Sequence, residues 1–374
     1  MNIVVFGLSI TSAWGNGHAT LLRGLFRELH RSGHEIHFFE RDVPYYAAHR
    51  DAVDLSFATI HLYTEWIDIL PQAKALLADA DVGMVTSYCP DGVAASALVC
   101  ESKCPRTIFY DMDAPVTLSR LSQGERVPYL PPEGLRDFDL VLSYTGGAAL
   151  RGIRHRLGAR SVATLYGWVD PAIYYPVERS SKFESDLSYL GTYSQDRHFS
   201  LTQLLISPAI RLNSHRFVVG GAMYPDIKSW PSNIRHFEHV SPPEHCGFYC
   251  SSPLTLNVTR GTMAAMGYCP SGRLFEAAAC GTAVLSDDWL GLDSFFTPGQ
   301  EILLASSTEE AIDAITSDPG FLAQIGMRAQ QRALECHTAA IRARRLIDLI
   351  ESPLDEVGDE PVHLGQRAAA YEEA

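Results

Sequence analysis

The chain has 374 residues, of which 46% are hydrophobic and 20% are charged. This length exceeds that of a domain with a single hydrophobic core, and it fits two soluble globular domains of about 150–200 residues each. The formal net charge of −14 argues against a nucleic-acid groove, which needs a basic face. No stretch approaches the ~20 apolar residues of a membrane span. The chain opens on the strand-like run IVVFGL without a basic leader, so a cytoplasmic protein is expected.

Part of the negative charge lies at the end of the chain. Residues 351–374 contain seven acids and one arginine, which predicts a mobile acidic tail. The eight cysteines form no CxxC motif and have no histidine at finger-like distance, so we expect reduced, mostly buried thiols and no structural zinc. Two pairs have i,i+4 spacing, namely Cys100/Cys104 and Cys246/Cys250.

Strand and helix patterns alternate through the first half of the chain. Strands separated by helices indicate a parallel sheet that is covered on both faces. Ligands bind such sheets beyond the carboxyl ends of the strands. The predicted strands are 2–8, 35–39, 81–86, 106–110 and 139–143, and the predicted helices are 20–32 and 67–78.

The same alternation restarts after residues 169–185, which contain two prolines and no clear period and are predicted to be an interdomain linker. The sequence therefore predicts an α/β protein with two Rossmann-like domains, 1–168 and 186–350, facing each other across a cleft. The last helix is a candidate to pack back onto the N-terminal domain. The second domain has predicted strands at 187–190, 217–219, 254–258 and 283–286, and predicted helices at 308–316 and 320–350.

Three loops at predicted strand ends of the first domain carry candidate acceptor-side residues. His18 follows the first strand in a glycine loop and could exchange a proton, although a lone histidine also suits a structural role. Asp113 lies beyond the strand 106–110 and could act as a general base toward a sugar hydroxyl. Further candidates at these strand ends are Gly17, Asp111, Gly146 and Gly147.

Asp111 and Asp113 also form a DxD sequence, a motif that can hold Mn²⁺ or Mg²⁺ together with a diphosphate. Tripeptides of this kind occur often by chance. An anion site in the second half makes a metal less necessary, so no metal site is predicted.

That anion site is indicated by residues 268–291, which read as a loop, a short helix ended by Gly281, and a buried strand. The first amides of the helix, at Ser271 and Gly272, are open to an anion, and the helix dipole favours one there. Arg273 adds a positive charge, and Glu276 lies one turn later. The amides and Arg273 would bind a diphosphate, while Glu276 would accept the ribose hydroxyls. The alternative is an ordinary packed helix with a solvated Arg–Glu pair.

Other strand ends of the second half carry residues that could reach the same donor. Two are arginines, which form charge-assisted hydrogen bonds to phosphate. Each arginine could instead form a surface ion pair of little energetic weight. These donor-side candidates are Gly191, Tyr193, Arg197, Asn257 and Arg260.

The runs GRLFEAAACGTAVLSD and GLDSFFTPGQEILL resemble the donor half of GT-B glycosyltransferases, specifically the CgeB-like (spore maturation protein) group. The upstream runs GNGHAT, YDMDAPVTL and DLSYLGTYSQDR are also similar to that group. The resemblance covers 2–350 and implies a GT-B architecture. It further implies metal-independent transfer of a sugar from a nucleotide diphosphate to an acceptor hydroxyl, with no cofactor besides the donor substrate. Glu276 would bind the ribose, and Arg260, Arg273 and the 271–273 amides would bind the diphosphate.

The chain departs from that family at one position. Many retaining GT-B enzymes carry a second glutamate eight residues before the ribose glutamate, and here that position is Tyr268. Retention of anomeric configuration is therefore not implied. An inverting route needs a base from the N-terminal domain, for which Asp113 is the first choice and His18 the second.

Two other functions are compatible with the same predicted fold. One is a nucleotide-sugar epimerase or hydrolase, and the other is a non-catalytic nucleotide- or sugar-binding protein. A nucleotide sugar is the expected partner, with a sugar, a lipid-linked molecule or another small molecule as acceptor and no nucleic acid. The sequence also leaves two further features undecided, namely an aromatic platform that would bind sugar rings and a basic face that would contact a membrane surface. Candidates are Trp14, Tyr45, Tyr46 and Trp66 for the platform, and Arg151, Arg154, Arg156 and Arg160 for the basic face.

Overall fold

The computed structural model describes residues 1–52 and 54–354. Within them the chain forms two compact units. The first comprises Met1–Gly167 and the last helix, and the second comprises Trp168–Thr338. Most of the predicted acidic tail, from residue 355 onward, lies outside the described residues.

The first unit is an α/β fold in which short loops connect strands to helices. Its elements are β1 (Asn2–Gly7), α1 (Gly17–Arg31), β2 (Glu35–Arg41), α2 (Pro44–Ala47), β3 (Thr59–Tyr63), α3 (Trp66–Ala78), β4 (Val82–Thr86), α4 (Gly92–Glu101), β5 (Arg106–Asp111), α5 (Ala114–Ser122), β6 (Leu140–Ser143), α6 (Ala148–Leu157) and β7 (Val162–Thr164). The strands form one parallel sheet in the order β3-β2-β1-β4-β5-β6-β7. Its central strands are buried along nearly their whole length, as expected for a sheet with helices on both faces.

The second unit repeats this design. Its elements are β8 (Leu187–Leu190), α7 (His198–Leu201), α8 (Ser207–Arg211), β9 (Phe217–Gly220), β10 (Ile234–Phe237), α9 (His245–Cys250), β11 (Leu254–Asn257), α10 (Gly261–Met266), α11 (Gly272–Ala279), β12 (Ala283–Ser286), β13 (Leu303–Leu304), α12 (Thr308–Ile315) and α13 (Pro319–Cys336). A π-helical turn, Thr202–Ile206, joins α7 to α8. The parallel sheet has the order β10-β9-β8-β11-β12-β13. The prediction of two α/β domains with parallel sheets is confirmed.

The last helix, α14 (Ala339–Glu351), returns the chain to the first unit and packs against α1. Arg342 on this helix is almost fully buried and donates from Nε to the backbone oxygens of Tyr166 (3.1 Å) and Gly167 (3.3 Å). Arg106 donates to the oxygen of Ile350 at 3.0 Å, which satisfies a carbonyl at the end of the helix. These bonds fix the return segment on the first unit.

Two predicted segments differ from the observed structure. Residues 169–185, predicted as a linker, pack on the second unit, where Tyr174 is buried and the Val169 N–H donates to the His337 oxygen at 2.9 Å. The predicted single helix 320–350 is two helices, separated at residues 337–338. There the buried His337 ring packs against Phe275 and Phe296, so tertiary packing interrupts the helix.

The strand order reverses once in each sheet, between β1 and β4 and between β8 and β11. At such a reversal the connections leave in opposite directions, and a crevice opens beyond the carboxyl ends of the two strands. A ligand site is therefore expected at the loops that follow these four strands.

None of the described helices has the length and apolar character needed to cross a membrane. None of the eight cysteines forms a disulfide bond, and five of them are buried. The chain is thus held together by its two cores rather than by disulfide bonds.

Candidate functional site

In the first unit, a histidine–carboxylate pair lies beyond the carboxyl ends of β1 and β5. Nε2 of His18 is 2.8 Å from Oδ2 of Asp113. Ser87, which follows β4, donates to the same carboxylate oxygen at 3.0 Å. The side chains of His18 and Asp113 are 12% and 26% exposed, so a ligand can reach the pair. The structure thus brings together the two residues predicted as alternative bases.

The β1–α1 loop sets the position of His18. Asn16 caps α1 and accepts the His18 N–H at 3.1 Å, while its amide nitrogen donates to the oxygens of Ser9 and Ser12 at 3.0 Å. Nδ1 of His18 is buried and has no hydrogen-bond partner among the described residues. In the tautomer whose Nε2–H donates to Asp113, Nδ1 carries a lone pair that faces the protein interior.

Glu40, at the end of β2, anchors the same loop and was not singled out from the sequence. Its buried carboxylate accepts hydrogen bonds from Ser9 Oγ (2.8 Å), Ile10 N (2.7 Å), Thr11 N (3.0 Å) and Thr11 Oγ1 (2.6 Å). A buried charge needs such a set of donors. The available signal was an acidic residue at the end of the otherwise apolar run IHFFE.

Asp111 lies behind the pair rather than in contact with a ligand. Its side chain is fully buried, and Oδ1 accepts the Asp113 N–H at 2.9 Å. Burial raises the pKa of Asp111 to about 7, and the negative charge of Asp113 contributes to the rise. The predicted acceptor contact of Asp111 is therefore replaced by a role in positioning Asp113. This geometry also differs from the two accessible carboxylates that the DxD alternative requires.

The raised pKa predicts a pH-dependent stability. Because the folded state holds the Asp111 proton more tightly than the unfolded state, folding is favoured at low pH and loses stability as the pH rises from about 4 to about 7. Asn at this position stays neutral and keeps an oxygen for the Asp113 N–H. Urea unfolding of wild type and Asp111→Asn across this range should therefore diverge with pH, by about 1.4 kcal/mol for each pKa unit of the shift. Parallel profiles would contradict the assignment.

The predicted glycine contacts lie at the same sheet edge. Gly147 follows β6, next to β5, and caps α6 with φ of 56°, a conformation that favours glycine. Gly146 precedes it. Gly17 begins α1 beside His18, and no neighbouring atom lies within 4 Å of the position that a Cβ would take. Backbone contact between these glycines and an acceptor stays a prediction.

In the second unit, three arginines converge beyond β8 and β11, and we call them the arginine cluster. Arg197 lies in the loop after β8, Arg260 follows β11, and Arg273 is in the first turn of α11. Burial lowers the pKa of Arg197, and the positive charges of Arg273 and Arg260 lower it further. None of the three forms an ion pair with a carboxylate among the described residues. Such a group of unpaired cations favours a bound anion.

Strand-end acceptors hold Arg273 in place. Its Nε donates to the Leu190 oxygen at the end of β8, and Nη1 donates to Oδ1 of Asn257 at 3.0 Å. The guanidinium lies 5.0 Å from the centre of the Tyr189 ring. Asn257 is fully buried and also donates to Ser286 Oγ at 2.9 Å. Asn257 therefore positions Arg273, which corrects its predicted direct contact with a donor.

The start of α11 is open to an anion. The N-cap residue, Ser271, makes no side-chain capping hydrogen bond, and the first turn contains no acidic residue. Gly272 follows at the first helical position and adds no side chain over the amides. These amides and the positive end of the helix dipole add to the charge of the arginine cluster.

Glu276 lies one turn after Arg273 and is partly exposed. Its Oε2 accepts a hydrogen bond from Tyr249 Oη at 3.1 Å. Burial, together with the negative charge of Glu276, raises the pKa of Tyr249 well above its ordinary value, so this phenol stays a neutral donor. Tyr249 orients the carboxylate and was not found from the sequence, because nothing local links it to Glu276.

In the loop after β8, the backbone packs closely against neighbouring residues, and aromatic rings line a pocket beside it. The Gly191 N–H donates to the Gly220 oxygen at 2.8 Å, and a Cβ at Gly191 would lie 2.6 Å from Nη2 of Arg273. A side chain at this position would therefore displace the guanidinium of Arg273. Tyr193 lies against Tyr224 with ring centres 5.6 Å apart, and both line a pocket in this unit.

Tyr268, which replaces the glutamate of many retaining enzymes, has a structural contact. Its backbone is in the left-handed region with φ of 48°. A Cβ added at Gly291 would lie 2.4 Å from its ring, and its N–H donates to the Leu290 oxygen at 2.7 Å. Tyr268 therefore fixes this loop and supplies no carboxylate to the site.

The chain resembles a known protein family over part of its length and several solved structures over most of it. Residues 197–348 match the family described as glycosyl transferase-like, whereas no curated protein matches the chain. Sucrose-phosphate synthase from Thermosynechococcus elongatus is 12% identical, with a TM-score of 0.64 over 93% of this chain and 98% of that one. An alpha-glucosyltransferase in complex with UDP is 14% identical, with a TM-score of 0.66 over 94% and 100%.

A third structure, Anabaena HepE in complex with UDP-glucose, is 12% identical, with a TM-score of 0.61 over 94% of this chain and 100% of that one. At such identities the similarity establishes the fold. The chain has the GT-B fold of two parallel-sheet α/β domains, as the sequence predicted.

Proposed function

We propose that this GT-B protein is a glycosyltransferase that moves a sugar from a nucleotide-diphosphate donor to an acceptor hydroxyl. The observation that carries the proposal is the unpaired arginine cluster at the open start of α11, with Glu276 one turn away. The family match of residues 197–348 covers the part of the chain that holds these residues. Solved relatives with bound UDP or UDP-glucose support the same donor class.

The arginine cluster would bind the diphosphate and stabilise it as a leaving group. As the bond between the anomeric carbon and the diphosphate oxygen breaks, the diphosphate takes the electron pair and gains negative charge. Fixed cations and amides interact more strongly with that charge in a water-excluded site than in water, by about 3–4 kcal/mol for one key group. Because this unit supplies the positive charge itself, we propose transfer without a metal or a cofactor.

Glu276 would accept hydrogen bonds from the two ribose hydroxyls. The carboxylate has a second oxygen beyond the one bonded to Tyr249, and ionised acceptors form the stronger hydrogen bonds. Since Tyr249 holds the carboxylate, little rotational freedom is lost when the ribose binds. Because of this ribose contact, the site would bind a nucleotide diphosphate more tightly than a free diphosphate.

The His18–Asp113 pair would activate the acceptor. Its hydroxyl proton passes to Asp113 while the hydroxyl oxygen bonds to the anomeric carbon. The side chain of Asp113 is the more exposed of the two, and it has a second oxygen beyond the Oδ2 that accepts from His18 and Ser87. Nδ1 of His18 is buried, so an acceptor hydroxyl does not reach it. We therefore assign the proton to Asp113, as the sequence predicts, and the positioning role to His18.

A base of this kind fits an inverting displacement. Tyr268 offers no carboxylate to the donor sugar and so gives no support to retention. Within the glycosyl transferase-like family, we propose membership of the CgeB-like group and hexosyl transfer. The net charge of −14 favours an acceptor other than nucleic acid, although one relative is an alpha-glucosyltransferase solved with DNA.

Isothermal titration against UDP-, GDP- and dTDP-sugars tests the donor assignment, and binding of at least one is expected. Mass spectrometry of products with cell-extract acceptors then tests transfer. Turnover of the sugar nucleotide without acceptor would indicate an epimerase or hydrolase instead. Tight binding without turnover, unaffected by Asp113→Asn, would indicate a binding protein. If folded protein binds none of the donors, the proposal fails.

A further inference from the structure

We propose that an exposed aromatic cluster on the first unit binds the acceptor, and that the acceptor is a neutral saccharide. The cluster consists of Trp14, Tyr45 and His49, and we call it the Trp14 cluster. This inference rests on the proposed function, because it assigns the substrate class of the site that contains His18.

The Trp14 cluster exposes large aromatic surface. Trp14 and Tyr45 are 45% and 54% exposed. The Trp14 ring stacks on His49 with centres 4.7 Å apart and planes 14° apart, and Tyr45 lies 5.6 Å from the same imidazole. The Tyr45 hydroxyl also approaches the β1–α1 loop, where a Cβ at Gly15 would lie 3.1 Å from it. The rings therefore form one connected surface.

This surface is tied to the His18–Asp113 pair through the β1–α1 loop. Trp14 precedes His18 by four residues in the loop that Glu40 and Asn16 fix. Ser12, in the same loop, donates to the His49 backbone oxygen at 2.7 Å. Because the loop is held in place, a ring stacked on the cluster would be bound at a defined distance from His18.

The chemistry around the cluster suits a saccharide. Sugar rings present C–H faces that pack on aromatic rings, while their hydroxyls need polar partners at the edge. Such partners surround the cluster, since Asp51 accepts the Ala13 N–H at 3.0 Å and Arg50 lies beside Asp42. The carboxylates can accept hydrogen bonds from sugar hydroxyls, and the guanidinium groups can donate to them.

The charges around the cluster disfavour a phosphate-bearing acceptor. The arginines of these loops are each paired with a carboxylate, in contrast to the unpaired arginine cluster of the second unit. A lipid phosphate would therefore meet cations that are already neutralised, together with the repulsion of their partners. The pairs are Arg23–Asp51 at 2.7 Å, Arg41–Asp91 at 3.1 Å and Arg50–Asp42 at 2.6 Å.

The test is retention of the full chain on an array of neutral glycans, with and without the nucleotide that binds best in titration. Wild type should be retained on a subset of glycans. Trp14→Ala and Tyr45→Ala should each weaken retention by about 10-fold or more, with unchanged nucleotide affinity and melting temperature. Tyr175→Ala, which removes a similarly exposed ring (50%) from the second unit, is the matched control and should behave as wild type.

Three results would overturn the inference, namely no retention of wild type on any glycan, unchanged retention of Trp14→Ala, or binding to polyprenyl-phosphate vesicles in place of glycans. The nucleotide titration separates this failure from failure of the proposed function. If nucleotides bind and glycans do not, only the acceptor assignment is wrong. If no nucleotide binds, the donor assignment is wrong whatever the array shows.

Discussion

Replacing Glu276 by alanine is expected to weaken nucleotide-sugar binding by about 10- to 100-fold, because charge-assisted hydrogen bonds to the ribose would be lost. The change also removes the acceptor of the buried Tyr249 hydroxyl, which costs about 1–3 kcal/mol of stability when the hydroxyl is left unsatisfied. Titration calorimetry with the donor that binds wild type measures the first effect, and urea unfolding measures the second.

Glu276→Gln separates the two effects, since the amide oxygen can still accept from Tyr249 while the charge is gone. This variant should regain stability but not full donor affinity. Glu309→Ala is a matched control, because Glu309 is 71% exposed and forms a surface pair with Arg211 on the same unit; such pairs contribute little. If Glu276→Ala binds the donor like wild type, its ribose role is wrong.

Replacing His18 by alanine or Asp113 by asparagine is expected to lower kcat by about 100-fold or more while leaving donor affinity unchanged. The first variant removes the imidazole that positions the base, and the second removes the basic carboxylate itself. Steady-state transfer to an identified acceptor gives kcat, and calorimetry gives donor affinity. Equal losses in the single variants and in the double variant would show that the pair acts as one unit.

His30→Asn is the control for this pair, because His30 lies on the exposed face of the same helix. It should retain wild-type rates. A His18→Ala enzyme with near-normal kcat, combined with an inactive Asp113→Asn enzyme, would show that Asp113 acts as the base without His18. Near-normal kcat in both variants would remove the pair from catalysis altogether.

The central strands could be predicted from the sequence because they are short apolar runs bounded by polar or turn residues. β8 and β12 have the predicted bounds, 187–190 and 283–286. The four edge strands, β3, β7, β10 and β13, escaped prediction. β13 has only two residues, both half-buried, and β3 is buried only at its last residue, so neither carries the apolar pattern of a core strand.

The donor-side charges could also be predicted from local sequence. Arg273 and Glu276 are three residues apart at a helix start, and that spacing alone places them on nearly one face. The roles of Asn257 and Tyr249 could not be predicted in this way. Each contacts the helix from a distant part of the chain, 16 and 27 residues away, and only the packing of α11 on its neighbours decides that contact.

The sequence by itself determined the two α/β domains, the positions of their main strands, and the loops at which polar and glycine residues gather. Local periodicity and composition contain that information. Only the tertiary structure decided that His18 bonds to Asp113, that Asp111 is buried, and that three arginines share one site with no carboxylate partner in the described part of the chain. Those features depend on which strands become neighbours in the sheet, and residues such as His18 and Asp113, 95 positions apart, meet only when the strand order is set.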